Sequence, residues 1–280
     1  MTGLLLRIAK HWIAGETVED AIKRARQSNS HKVRGIINLV GEEITSVEEA
    51  NAATAQYMDI LRIIDAQRIR SCISVKPTQL GLTIDETLFK DNFGKILSKA
   101  KSLGNFVWVD MEGSPFTART VNSYVEFRGK FDNIGIAIQA YLKRSDEDVS
   151  RIIDSGGIIR LCKGAYNENP EIAYKRKRQI DDNYSKLMRT IFERSKGFAI
   201  ATHDEKLIEE AVSLSTVHHA DFEFEMLMGI RDDKKLELVE RGYRVSEYIP
   251  YGKSWWAYSV RRIREHKSNI FLLARSLISG

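Results

Sequence analysis

The sequence predicts an α/β fold, a single (β/α)8 barrel of the TIM type with an N-terminal helical extension. Three observations lead there. Short apolar, β-branched runs recur eight times, longer amphipathic helical patterns lie between them, and no internal repeat or linker interrupts the alternation. Continuous apolar strands alternating with helices make a parallel sheet covered on both faces, and eight such units suggest closure into a barrel. The 280 residues suit one such domain. An open doubly wound sheet is the alternative, but it normally carries a Gly-rich loop after its first strand, and no GxGxxG occurs in the chain.

Residues 1–32 precede the first run and are expected to form one or two helices against the lower end or side of the barrel, which takes up residues 33–280. The first run is VRGIINLV from Val33, followed by a helical pattern from Val47 to Gln67 that Ser46 opens within SVEE. SCISV from Ser71 leads to a second pattern from Ile84 to Ser102, opened by Thr83 within TIDE. FVWVD from Phe106 and IGIAIQA from Ile134 come next, with Ser145 in SDED opening the helix after the latter. Each of these openings sets a side-chain oxygen and nearby carboxylates at a helix N-terminus, where free N–H groups and the helix dipole favour them. The remaining runs are GIIRLC from Gly157, GFAIAT from Gly197, HADFEF from His219 and YRVSEYI from Tyr243, with a helical pattern at Glu205 to Ser213 and a last helix from about Lys253.

Composition narrows the class. With 43% hydrophobic and 29% charged residues and four prolines, the chain reads as globular. No apolar run reaches the ~20 residues of a membrane span, and MTGLLLRIAKHW lacks the basic start and cleavage site of a signal peptide, so a cytoplasmic protein is expected. Cys72 and Cys162 lie far apart, outside any zinc spacing, and are expected to be buried packing residues. The net charge of +5 is spread among mixed charges, and the main basic run, YKRKRQ from Tyr174, is expected to be a solvated helix face or an anion contact; no nucleic-acid partner is implied. Gly252–Ser254 spells GKS, but Glu247 stands where a P-loop needs its leading glycine.

In a barrel the C-terminal strand ends carry the chemistry. Here they bear Lys76, Asp110 with Glu112 behind it, Gln139, Arg160 and Lys163, Thr202 and His203, Glu223 and Glu225, and Tyr248. Polar groups at so many strand ends are costly unless a polar ligand satisfies them, and the cations among them imply an anionic one. No HExxH, His/Cys cluster or GxSxG is present. The absence of a nucleophile points to a redox cofactor that brings its own chemistry. Finally, AYSVRRIRE places Tyr258, Arg261 and Glu265 on one side of a helix, with Arg262 about 100° further round. Two such guanidinium groups can converge on one carboxylate.

These segments resemble the proline dehydrogenases of the small, single-function kind. The likeness runs in order from VGEE at Val40 through SVKPTQLG, VDMEGS, IQAYLKR, RLCKGAY, ATHD, FEFEMLMG and YIPYG to AYSVRRIRE. It implies a (β/α)8 barrel that holds FAD non-covalently and oxidises L-proline to Δ1-pyrroline-5-carboxylate by hydride transfer to the flavin. By the same resemblance, Arg261 and Arg262 clamp the proline carboxylate, Lys76 lies on its carboxylate side with Asp110 behind, and Tyr166, Leu227, Tyr248 and Tyr258 enclose the ring. Arg160 falls near the flavin N5 edge and Gln139 near its pyrimidine side. Lys163, Thr202 and His203 fall along the ribityl and phosphate groups, and Arg176 and Lys177 toward the adenine end. Glu42 is expected at the barrel mouth as a partner for Arg261 in a lid over bound proline, in competition with Glu265 on Arg261's own helix.

Three departures stand out: Asn167 where long bifunctional relatives carry Trp, Asp204 where Asn is common, and VGEE for Leu-Gly-Glu. The reaction also needs an electron acceptor, such as a quinone or a partner redox subunit. Peripheral association with the inner face of the membrane and homo- or hetero-oligomers are left open. The alternatives are another flavin barrel related to methylenetetrahydrofolate reductase, or a barrel that binds a metabolite without turning it over.

Overall fold

The computed structural model describes residues 12–255. Its strands are β1 (Arg34–Leu39), β2 (Ser71–Val75), β3 (Val107–Val109), β4 (Ile134–Gln139), β5 (Ile159–Cys162), β6 (Gly197–Ala201), β7 (Asp221–Leu227) and β8 (Arg244–Tyr251). They pair in parallel in sequence order, and β8 closes on β1 with Ile36 opposite Tyr248. The described helices are α1 (Val18–Ser30), α2 (Val47–Ala66), α3 (Glu86–Ser102), α4 (Ser114–Arg128), α5 (Ser145–Asp154), α6 (Lys177–Arg194), α7 (Glu205–His218) and α8 (Asp232–Glu240), with a 3-10 turn at Pro77–Leu80. The closed eight-stranded barrel is the fold expected from the sequence. None of the described helices is long and apolar enough to cross a membrane.

Alternation along each strand divides the core in two. Ile37, Ile73, Val107, Ile136, Leu161 and Phe224 belong to the large apolar layer shared with Tyr57, Phe93, Tyr124 and Leu187 of the helices. Their neighbours Ile36, Cys72, Trp108 and Ala199 form a separate cluster inside the barrel. This apolar cluster lies on the inner face below the polar groups carried near the strand C-termini.

Helix α1 begins with a capping box, in which Thr17 accepts from the Asp20 N–H and Asp20 accepts from the Thr17 N–H. It lies along the β8/β1 seam, and a Cβ on Gly35 would come within 3.2 Å of Ala25 and 2.2 Å of Ser71 Oγ. Beneath it Glu247 of β8, 1% exposed, accepts from Arg24 Nη2 and Nε at 2.6 and 2.7 Å, from Ser28 at 2.7 Å and from Lys235 of α8 at 2.6 Å.

Two expected caps differ. Ser46 does cap α2, but α3 is capped by Asp85, which accepts from the Leu88 N–H at 2.9 Å, while Thr83 donates to the Ile44 carbonyl. Ser145 is the first residue of α5 and donates instead to the Gln139 carbonyl at 2.6 Å. In both cases a tertiary acceptor competes for the hydroxyl and wins. The helix expected from about Lys253, with Tyr258, Arg261, Arg262 and Glu265, lies outside the described residues, which end at Trp255.

Candidate active site

Asp110, two residues after Trp108 and just past β3, is the centre of the polar layer. Its carboxylate accepts from Ser74 Oγ at 2.6 Å, Tyr248 Oη at 2.5 Å, Arg160 Nη1 at 2.9 Å and Lys76 Nζ at 3.2 Å. Burial opposes its ionisation, but Lys76, Arg160 and the two hydroxyls outweigh burial and hold the carboxyl below its usual range. Burial likewise works against Lys76 and Arg160, and their carboxylate neighbours reverse it, so both stay charged.

Arg160 crosses the inside of the barrel at 4% exposure. Its guanidinium lies 4.4 Å from the centre of the Trp108 ring, a cation–π contact that suits a desolvated cation. Besides Asp110 it forms an ion pair with Glu225 of β7. Among the described residues its Nη2 is buried with no hydrogen-bond partner, as is Oε1 of Glu225.

Above this layer opens a cavity of about 650 Å3. Lys76, Asp110, Gln139, Arg160, Tyr166, Leu227 and Tyr248 line one part of it, and Lys163, Lys177, Thr202 and His203 another. Gln139 is fixed by donating to the Glu112 carbonyl at 2.9 Å. Glu112 itself does not line the cavity: it accepts from the Thr78 N–H and hydroxyl and locks the β2 loop, with burial pushing its carboxyl up to about 7 against Lys76 and Thr78. Gly164 makes the turn after β5 at φ +106°, pressed so close to Tyr141 that a Cβ would lie 2.0 Å from the ring.

The N-terminus of α7 also faces the cavity. Asp204 caps the helix, and Thr202 accepts from the Asp204 N–H at 3.1 Å. His203 Nε2 accepts from the Leu227 N–H at 2.9 Å, so its Nδ1 carries the proton in the neutral ring. Lys163 bridges Asp181 at 2.5 Å and Asp204 at 2.9 Å, and Lys177 reaches the same two carboxylates, Asp204 at 3.0 Å. Partial burial disfavours the Asp204 charge, but the two lysines hold its carboxyl well below the usual range. The departure at Asp204 thus places an anion among the site's cations.

Lys76, Asp110, Gln139, Arg160, Lys163, Tyr166, Lys177, Thr202, His203, Leu227 and Tyr248 come together around one cavity. Arg176 does not join them. It is the residue before α6, and Lys175 lines the cavity in its place, because the basic run is loop up to Arg176 and becomes helix only at Lys177. Cys162 is half-buried and lines the cavity, unlike the packing residue expected, whereas Cys72 is buried and its thiol is pushed up to about 12 by burial and by Glu223. Glu223 lies lower than Glu225 and accepts from Ser246 at 2.9 Å. Glu42 accepts from Tyr166 Oη at 3.1 Å and borders a second cavity along α2, to which Lys76 also contributes. Asp181 and Ser74 were missed by sequence reasoning, and Lys175 was singled out only as part of the basic run YKRKRQ. Ser74 carried a signal, a polar residue two before Lys76 on the same strand face.

A family model described as Proline dehydrogenase matches residues 21–274. The chain is 34% identical over 281 residues to Proline dehydrogenase 2 of Bacillus subtilis, covering 96% of this chain and 93% of that protein. It is 32% identical over 281 residues to Proline dehydrogenase of Deinococcus radiodurans, covering 98% and 91%. Among solved structures it is similar to proline utilization A (PutA) from Bdellovibrio bacteriovorus inactivated by N-propargylglycine, with a TM-score of 0.88 and 25% identity. That match covers 94% of this chain and 33% of the other, so the chain spans about a third of the longer protein.

Proposed function

The chain belongs to the proline dehydrogenase family, and from that premise we propose that it oxidises L-proline to Δ1-pyrroline-5-carboxylate, the first step of proline catabolism, with FAD held at the C-terminal ends of its barrel strands. It is an oxidoreductase whose length matches that of its single-function relatives.

The residues fit FAD. One end of the cavity offers Lys163, Lys175, Lys177 and the N-terminus of α7, a donor set suited to phosphates. At its floor the buried Arg160 Nη2 lacks a hydrogen-bond partner among the described residues. That orphaned donor is the observation that carries the reading, because a buried guanidinium edge facing a cavity has a use where negative charge develops. Lys163, Lys175, Lys177, Thr202 and His203 would hold the ribityl, phosphate and adenine portions, and Gln139 the pyrimidine side of the ring.

When bound, the flavin supplies the acceptor for the hydride that leaves the ring carbon beside the proline nitrogen. Arg160 presents its free edge to the charge that develops. Asp110 keeps Arg160 and Lys76 in fixed positions by bonding both. Lys76 with Arg261 and Arg262 orients the proline carboxylate, while Tyr166, Leu227, Tyr248 and Tyr258 enclose the ring and exclude water. These cations also disfavour the proline ammonium, so the amine loses its proton before transfer. Glu42 and Glu265 hold Arg261 in turn, Glu42 as a lid contact. Electrons then leave to a quinone or a partner redox subunit, in a cytoplasmic enzyme that can meet the inner face of the membrane.

The test is a visible spectrum of the purified protein followed by anaerobic L-proline. Flavin absorbance that bleaches on addition of L-proline supports the reading. A colourless protein, or one whose flavin stays oxidised, overturns it.

A further inference from the structure

Glu225 has no part in the reaction as described, yet it lines the cavity at 3% exposure. One carboxylate oxygen pairs with Arg160 Nε, and the other, Oε1, is buried without a hydrogen-bond partner among the described residues. Asp110, the other carboxylate on the same guanidinium, is its opposite, with donors from four side chains. The two compete for Arg160 on unequal terms. With both ionised, Lys76, Arg160, Asp110 and Glu225 sum to zero charge; with Glu225 neutral, the group carries one positive charge. A ring that has just gained electrons above this group favours the second state, and Glu225 is the member with a bare oxygen to take the proton.

We propose that Glu225 is a positioning residue that takes up one proton when the flavin in this cavity is reduced, so that Arg160 faces the reduced ring with a charge no longer cancelled from β7. The proposal rests on the FAD reading above. Two electrons pass from the reductant to the flavin, whether as hydride from proline or from dithionite. One proton from solvent forms an O–H bond on the Glu225 carboxylate, and no other bond of the residue changes.

The groups facing Glu225 support this. Arg160 comes from β5, Asp110 from just past β3, Glu223 from β7 itself, Cys72 from β2 and Tyr184 from α6. The neighbouring β6 contributes only Ala199 and Ala201, and His203 beyond its end is bonded to the Leu227 N–H. Burial pushes the Glu225 carboxyl up to about 8 against the pull of Arg160, and Glu223 adds to the rise. Arg160 cannot reverse the shift because its charge is already shared with the better-bonded Asp110. Below that value Glu225 is protonated in both redox states; above it the oxidised protein must take the proton up on reduction.

The test uses wild type and Glu225→Gln, both loaded with FAD, with the midpoint potential of the bound flavin followed by anaerobic dithionite titration across pH. Above about pH 8 the wild-type potential should fall more steeply than that of the variant, by up to about 30 mV per pH unit, the value for one proton in a two-electron couple. Equal slopes overturn the proposal while leaving the FAD reading intact, whereas wild-type protein that binds no FAD overturns both. Should the glutamine variant lose its flavin, the wild type decides alone. Its proton uptake per reduced flavin should rise from about a unit below to about a unit above pH 8, and a flat or falling count overturns the proposal.

Discussion

Four donors on one buried carboxylate make Asp110 the residue on which the polar layer depends. Removing one partner of a buried ionic group leaves the others uncompensated, at a cost of about 3 to 5 kcal/mol. Asp110→Ala should therefore destabilise the apoprotein by about that much in urea unfolding, because Lys76 and Arg160 would lose their shared counter-charge. A loss below about 1 kcal/mol would mean that Glu225 takes over both cations. The folded Asp110 pKa is depressed, so its contribution is present at neutral pH and is lost as pH falls through the folded value. Most of this layer was legible in the sequence, since Lys76, Asp110 and Arg160 lie at or near strand C-termini, where a barrel gathers them, while Tyr248 proves to sit within β8, three residues before its end. Stepping back two residues along β2 and β3 also reaches Ser74 and Trp108 on the same inner face. Asp181 was not legible, and Lys175 only as one of a basic run, because they come from a helix and a loop with no periodic tie to the barrel axis.

At the scale of elements, α1 is held to the β8/β1 seam by charge as well as by packing. Glu247 balances Arg24 from α1 and Lys235 from α8, and Lys235 is itself only 3% exposed. Burial raises the cost of the Glu247 charge, but Arg24 and Lys235 hold the carboxyl below its usual range. Glu247→Gln should cost about 3 to 5 kcal/mol, and hydrogen exchange across Val18–Ser30 should quicken more than across α2 or α3. Uniform quickening over all helices would show that α1 is not separately anchored. The wild-type contribution is present above the unfolded carboxylate pKa and is lost as pH falls through the depressed folded one. The sequence led to a helix before the first strand and to a place at the lower end or side of the barrel, but not to this seam. Glu247 read as one more charge in an apolar run, and its partners lie 223 and 12 residues away. Thr83 and Ser145 failed as caps for a related reason, since local pattern does not reveal a distant carbonyl that attracts a hydroxyl.

For the whole molecule, closure was the most legible property, because eight apolar runs separated by helical patterns leave little choice of parallel architecture. What closure creates is a mouth in which like and unlike charges are gathered at one end, with Arg160 Nη2 and Glu225 Oε1 buried below and without a hydrogen-bond partner among the described residues. Such groups burden the apoprotein and become useful only with a ligand above them. Ligand binding to the folded state alone stabilises by mass action, about 2.7 kcal/mol at a hundred times the Kd. A domain of this size shifts its Tm by roughly 2 to 4 °C per kcal/mol, so saturating FAD should raise the Tm of the apoprotein by about 5 to 10 °C in scanning calorimetry. Riboflavin at the same concentration should raise it less, because it leaves Lys163 and Lys177 paired with Asp181 and Asp204 and offers them no phosphate. Equal shifts from the two would remove the lysines from the cofactor site. Absence of any shift with FAD, in protein whose circular dichroism is that of a folded barrel, would remove the cavity from it altogether.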